Sequence, residues 1–171
     1  MRTRWSRTAG ATLILIGSLT AGVSARAEGQ KPTRPDAGSA EHVMRLTPAE
    51  LTWTAGPAML PPGANMAVIE GSPSKPGPFT LRLKFPAGYR IPAHWHPIKV
   101  TVTVISGTFN MGLGDELDPG KGKMLPVGSI FEMPARIHHF GWTDEETIIQ
   151  EHGIGPLSVN YLNPAHDGRH Q

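Results

Sequence analysis

The chain of 171 residues contains no cysteine. Disulfide bonds, thiol nucleophiles and thiolate metal ligands are therefore excluded. A sustained helical pattern is also missing, because no segment longer than one turn repeats apolar residues every three to four positions. Without helices or cross-links, the fold must rest on a core built from strands.

The N-terminus has the pattern of a secretory signal. Arg2, Arg4 and Arg7 precede an uncharged apolar segment, 9–23, and small residues at Ala25 and Ala27 complete a cleavage site. We expect a Sec-type signal peptide over 1–27, with cleavage after Ala27 and a periplasmic or secreted product that leaves the membrane. A retained anchor is the alternative, but a bilayer span needs about 20 apolar residues.

Removing 1–27 takes away four arginines and no acidic residue, so the formal net charge changes from +2 to −2. We therefore expect no nucleic-acid partner. The polar, Gly- and Pro-containing stretch 28–40 predicts a disordered linker. One β-domain is expected over 41–165, followed by a flexible tail, 166–171.

The domain has the alternation of half-buried strands. Apolar residues alternate with polar ones from Phe79 to Phe85, and further short segments follow between Gly and Pro turns. Thr47, Pro48 and Glu50 predict one capped helical turn before them. The pattern indicates an all-β antiparallel barrel or jelly roll.

Two segments place histidines where a strand can aim them inward. His94 and His96 are two positions apart and so share one face of a strand, followed by Val100, Val102 and Val104. A later segment supplies His138 and His139. Neutral imidazoles are common ligands of transition metals, and a metal would offset the cost of burying several polar rings.

These segments resemble the two motifs of the cupin superfamily. Gly88, His94, His96 and Gly107 fit the first motif, and Gly128, Pro134 and His139 fit the second. The chain is similar to small, exported, single-domain cupins. The resemblance implies a small β-barrel of the double-stranded β-helix type with one mononuclear metal site held by His94, His96 and His139.

The chain departs from the cupin pattern at three positions. Val100 stands where the first motif has its glutamate, and Arg136 and Thr143 replace a glycine and an asparagine of the second. The implied ligand set is reduced to three histidines, whose ring nitrogens we expect about 3–4 Å apart around a divalent ion. Fe(II) is favoured, with Mn, Ni, Cu or Zn as alternatives.

The resemblance implies a metal-dependent oxidoreductase of the dioxygenase type, with a small organic acid or enol as substrate. A metal-dependent isomerase or decarboxylase and a non-catalytic periplasmic module that binds a small molecule or metal are the alternatives. By analogy with cupins, a homodimer through edge strands is also expected. The residues expected to line the pocket are Val100, Arg136, Trp142, Gln150 and His152.

Overall fold

A computed structural model describes residues 43–170. The predicted signal peptide and linker lie outside these residues. Eleven strands are present in the described range: β1 (Thr54–Ala55), β2 (Asn65–Gly71), β3 (Gly77–Phe85), β4 (Arg90–Trp95), β5 (Val100–Ser106), β6 (Thr108–Leu113), β7 (Gly122–Pro126), β8 (Ile130–Met133), β9 (His139–Trp142), β10 (Thr147–Gly155) and β11 (Asn160–Tyr161).

The strands form two antiparallel sheets. One has six strands in the order β1-β2-β3-β10-β5-β8, and the other has five in the order β11-β4-β9-β6-β7. Neighbours in each sheet are mostly distant in sequence, as in a jelly roll. The predicted all-β, cupin-type barrel is confirmed.

Helical structure in 43–170 is confined to single 3₁₀ turns, the first at Pro48–Glu50. The backbone N–H of Thr47 donates to Oε2 of Glu50 at 2.7 Å, and the N–H of Glu50 donates to the Thr47 carbonyl at 3.1 Å. This is the predicted capped turn. None of these turns has the length or apolarity to cross a membrane.

The core lies where the inner faces of the sheets meet. Alternate residues of β3 and β5 point into it, as the sequence predicts, and each is 6 % exposed or less: Phe79, Leu81, Leu83, Phe85, Val100, Val102 and Val104. Burying an aliphatic or aromatic side chain of this size contributes about 1.5–3 kcal/mol. The core of the described domain therefore needs no cross-link.

A second apolar cluster covers the opposite face of the five-stranded sheet. Phe140 and Trp142 lie on it with their ring centroids 6.2 Å apart, beside Ala93. A Cβ atom at Gly112 would lie 2.4 Å from Cζ of Phe140, and one at Gly122 would lie 2.1 Å from Cη2 of Trp142. The rings of Phe140 and Trp142 therefore pack directly against the backbone of the neighbouring strands, where Gly112 and Gly122 have no side chain. We call Ala93, Phe140 and Trp142 the outer cluster.

The predicted flexible tail, 166–171, stays a prediction, and its described residues make hydrogen bonds. Asp167 is only 6 % exposed, and its carboxylate accepts from Nη2 of Arg169 at 2.6 Å. The same guanidinium donates to the Val159 carbonyl at 3.1 Å. Arg169 is therefore paired with Asp167 and linked to the rest of the domain through the Val159 carbonyl.

Candidate metal centre

Three histidines meet on the inner face of the five-stranded sheet. His94 on β4 and His139, the first residue of β9, are paired directly across the two strands, and His96 follows the end of β4. All three are 7 % exposed or less. One ring nitrogen from each lies within 4.8 Å of those from the other two. The set is somewhat wider than the expected 3–4 Å, which is about the spacing of nitrogens around a bound ion.

Backbone carbonyls orient each of the three rings. Nδ1 of His94 lies 2.8 Å from the Pro92 carbonyl, Nδ1 of His96 lies 2.9 Å from that of Ser158, and Nδ1 of His139 lies 2.9 Å from that of Ile137. A carbonyl can only accept, so each Nδ1 carries the hydrogen and donates it. Each Nε2 then keeps a free lone pair, which is the tautomer that a metal requires.

The surroundings keep these imidazoles neutral. Burial holds the pKa of His94 well below its usual range, and the nearby rings of His139 and His96 lower it further. Burial likewise lowers the pKa of His96, and it lowers that of His139 to about 4. Three neutral nitrogen donors are therefore available near pH 7, and the group can hold a metal ion.

The histidines line a cavity of about 240 Å³ between the sheets. Its walls are mainly apolar, with Leu81, Val102 and Phe109 among them. Ser74 also lines it and is itself exposed, so the cavity reaches the surface beside the loop between β2 and β3. An apolar carbon skeleton fits such walls, while the three imidazoles offer a polar end.

Val100 lines the same cavity, as predicted. It is 1 % exposed and pairs with Gly153 on β10 and Met133 on β8. The position that carries glutamate in the cupin motif therefore faces the cavity here with an isopropyl group. Among residues 43–170, no carboxylate joins the three-histidine cluster within its 4.8 Å span.

Gln150 and His152 do not line the cavity, contrary to the prediction. Nε of Arg82 donates to Oε1 of Gln150 at 3.0 Å, and His152 is exposed opposite Thr101. The odd-numbered residues of β10 point inward, because the register with β3 sets Glu151 against Leu81. Gln150 and His152 therefore lie on the opposite face of β10 from the cavity.

Trp142 and Arg136 also lie away from the cavity. Trp142 belongs to the outer cluster, because successive residues of β9 face opposite sides and His139 occupies the inner one. Arg136 is exposed at a turn, with φ of +66° and its guanidinium carbon 5.7 Å from the centroid of the Trp95 ring. The sequence had suggested that both residues line the pocket, and the structure places neither of them there.

The prediction missed Glu151, which lines the cavity from the six-stranded sheet. It retains some accessible surface, but the cavity walls enclose it, and burial raises the pKa of its carboxyl to about 7. The signal available in the sequence was the alternation along the strand, since Glu151 lies two positions after Ile149 and shares its face. Ile149 is 2 % exposed.

Tyr161 is a second missed neighbour of the centre. It pairs with His94 across β11 and β4, and their ring centroids are 5.8 Å apart. Its hydroxyl is buried and has no hydrogen-bond partner among residues 43–170. Sequence patterns do not reveal this contact, because it depends on the pairing of β11 with β4.

A family model described as Domain of unknown function (DUF4437) matches residues 22–158. The chain belongs to this family. No curated protein matches the sequence.

Solved structures share the fold of this DUF4437 protein at low sequence identity. An RmlC-like cupin from Ralstonia eutropha JMP134 is 21 % identical over 72 % of this chain and 74 % of its own, with a TM-score of 0.54. A protein described as a candidate acetylacetone dioxygenase from Methylibium petroleiphilum PM1 is 18 % identical over 75 % and 86 %, with a TM-score of 0.56. The polyketide cyclase RemF from Streptomyces resistomycificus is 12 % identical over 74 % and 89 %, also at 0.56. These likenesses show the cupin fold.

Proposed function

We propose that this protein is a metal-dependent oxidoreductase of the dioxygenase type, acting on a small organic acid or enol. The observation that carries the proposal is the set of three buried, neutral imidazoles, each oriented by a backbone carbonyl and facing an apolar cavity. His94, His96 and His139 would hold a divalent ion, with Fe(II) favoured over Mn, Ni, Cu and Zn. When bound, such an ion would supply Lewis-acid and oxygen-activating chemistry at this end of the cavity.

The chain's own residues favour an anionic substrate group. A bound divalent ion would keep its full charge, because the three ligands are neutral and Val100 supplies no carboxylate. The apolar walls would exclude water and hold the carbon skeleton of the substrate. A small acid or enol combines an anionic end with such a skeleton.

The fold relatives are compatible with this chemistry. One of them is described as a candidate acetylacetone dioxygenase and another as a polyketide cyclase, and both act on carbonyl compounds according to those names. Glu151 favours a second candidate, a metal-dependent isomerase or decarboxylase, because a carboxyl facing the cavity can transfer protons without oxygen. We further propose that the protein functions after export, on the basis of the secretory signal that the sequence predicts at its N-terminus.

Metal content and oxygen uptake test the proposal. We expect about one metal ion per chain in the purified wild type and less than one tenth of that in His96→Ala. The control is His138→Ala, because His138 is paired with Asp115 at 2.7 Å outside the cluster. Oxygen consumption with acetylacetone and related enols should follow the metal content. Full metal retention by His96→Ala, or no oxygen uptake by the metal-loaded wild type, would contradict the proposed function.

A further inference from the structure

The cavity has three imidazoles on one wall and a carboxyl group on the other. The three imidazoles come from the five-stranded sheet, whereas Glu151 comes from β10 in the six-stranded sheet. Its partners in register are Leu81 on β3 and Val102 on β5, and both line the same cavity. The carboxyl therefore projects into the cavity between two apolar neighbours.

The carboxyl of Glu151 has no hydrogen bond or ion pair with any other residue in 43–170. The histidines cannot supply one, because each Nδ1–H is already donated to a backbone carbonyl and each Nε2 has only a lone pair. Among the described residues that line the cavity, only Ser74 has a side-chain hydroxyl, and Ser74 is exposed at the opening. A carboxyl without a partner in an apolar cavity is costly unless a ligand supplies the missing donor.

The location of Glu151 also suits proton transfer. Burial raises the pKa of its carboxyl to about 7, so both protonation states are populated near neutral pH. A group of this kind can accept a proton and return it at comparable rates. An acidic residue on the outer surface, such as the exposed Glu70, has no access to the cavity.

We propose that Glu151 is the general base of this cavity and that the substrate is a small carbonyl compound with an acidic C–H or enol O–H group. The C–H or O–H bond breaks, the proton passes to a carboxylate oxygen of Glu151, and the electron pair stays on the substrate as an enolate. The substrate needs an apolar body to match the walls. This inference rests on the proposed function only in that an ion held by the three histidines would stabilise the enolate oxygen.

Counting protons on ligand binding tests this role. The probe is 1-phenylbutane-1,3-dione, whose enolate is visible by absorption, and the protein is loaded with redox-inert zinc. At pH 8, wild type should form the enolate and release clearly less than one proton to the buffer, because the enolate charge beside Glu151 in the apolar cavity raises the pKa of its carboxyl and the proton stays bound. Glu151→Gln cannot accept the proton, so enolate formation should release about one proton per ligand. Calorimetry in two buffers of different ionisation enthalpy gives the count.

Two variants complete the design. Glu151→Asp should restore part of the proton uptake, and Glu70→Gln should behave as wild type. Solvent deuterium exchange into phenylacetone should also be slowed at least about 100-fold in Glu151→Gln. Equal proton counts in wild type and Glu151→Gln, or no enolate in wild type, would overturn the inference.

Zinc analysis of the same samples separates the two hypotheses. Zinc uptake with proton counts that do not depend on Glu151 would overturn the role of Glu151 and leave the proposed metal function intact. A wild type that takes up no zinc but still shows a Glu151-dependent proton count would reject the metal function and support the base.

Discussion

His139 lies directly opposite His94 in the pairing of β4 and β9, and the centroids of their rings are 4.1 Å apart. Two imidazoles this close cannot both be protonated without repulsion. Burial already lowers the pKa of both rings, the charges of His139 and His96 lower that of His94 further, and the charge of His96 lowers that of His139. The pair is therefore maintained in the form that binds metal.

Metal affinity should be almost independent of pH between 7.5 and 6. Protons compete for a ligand nitrogen only below its pKa in the folded state, and the pKa of His139 is lowered to about 4. Affinity should therefore weaken only as the pH approaches that value. Zinc titrations across this range test the expectation in wild type and in His138→Ala as the control. A tenfold loss of affinity between pH 7.5 and 6.5 would mean that the ligands are solvated imidazoles.

Val100→Glu should add a fourth, anionic ligand. Val100 lines the cavity with the histidines, and a carboxylate there would be buried beside Met133 without metal. We expect the apo variant to lose about 3 kcal/mol of stability and to regain more on adding zinc than wild type does. Thermal unfolding with and without zinc measures both effects.

His96→Ala in the Val100→Glu background is the control for that experiment. It should abolish the additional stabilisation by zinc, since the ligand set would then lack His96. If Val100→Glu gains no more from zinc than wild type, position 100 does not reach the metal.

Arg136→Gly should stabilise the protein by about 0.5–1 kcal/mol. Arg136 has a φ of +66°, where a side chain is strained and glycine is not. Loss of the contact between Arg136 and the Trp95 ring offsets part of the gain. Urea denaturation should show the opposite sign for Ala135→Gly, the matched neighbour. Destabilisation by both changes would mean that the Trp95 contact outweighs the backbone strain.

Glu151→Gln should be more stable than wild type at high pH. The unfolded chain loses this proton near pH 4.5, whereas the folded protein keeps it to about pH 7. The folded state binds more protons in that window, so wild-type stability falls as pH rises through it. The difference from Glu151→Gln should be near zero below pH 4.5 and at most about 3 kcal/mol above pH 7.

Urea denaturation at several pH values measures this difference, with Glu70→Gln as the exposed control. The comparison isolates Glu151, because the histidines contribute with the opposite sign and are common to both proteins. A stability difference that does not change with pH would show that Glu151 is solvated in the folded state.

Local patterns predicted most of the strands and the shared face of His94 and His96, whereas the resemblance to the second cupin motif supplied His139. Alternation along β3 and β5 identified their inner faces, because continuous runs of apolar residues at every second position leave no choice of side. His94 and His96 share a face for the same reason. These features depend only on neighbouring residues.

The remaining site residues depend on pairing between distant strands. Both faces of β10 carry isoleucine, at Ile148 and Ile149, so sequence alone does not decide which one is inside. The register with β3 decides it and brings Glu151 into the cavity. Trp142 was misplaced because the outer cluster gives the second face of β9 an apolar environment of its own.

All four residues of β9 are buried, between the cavity on one side and the outer cluster on the other. Its amide protons should exchange with solvent only on global unfolding, whereas β11 is a two-residue edge strand that can open locally. Tyr161, whose ring lies beside His94, belongs to β11. Ser158, whose carbonyl orients His96, lies two residues before this strand. Local opening there would loosen two of the three ligands at once, so we expect metal release to begin at β11 while His139 stays in place.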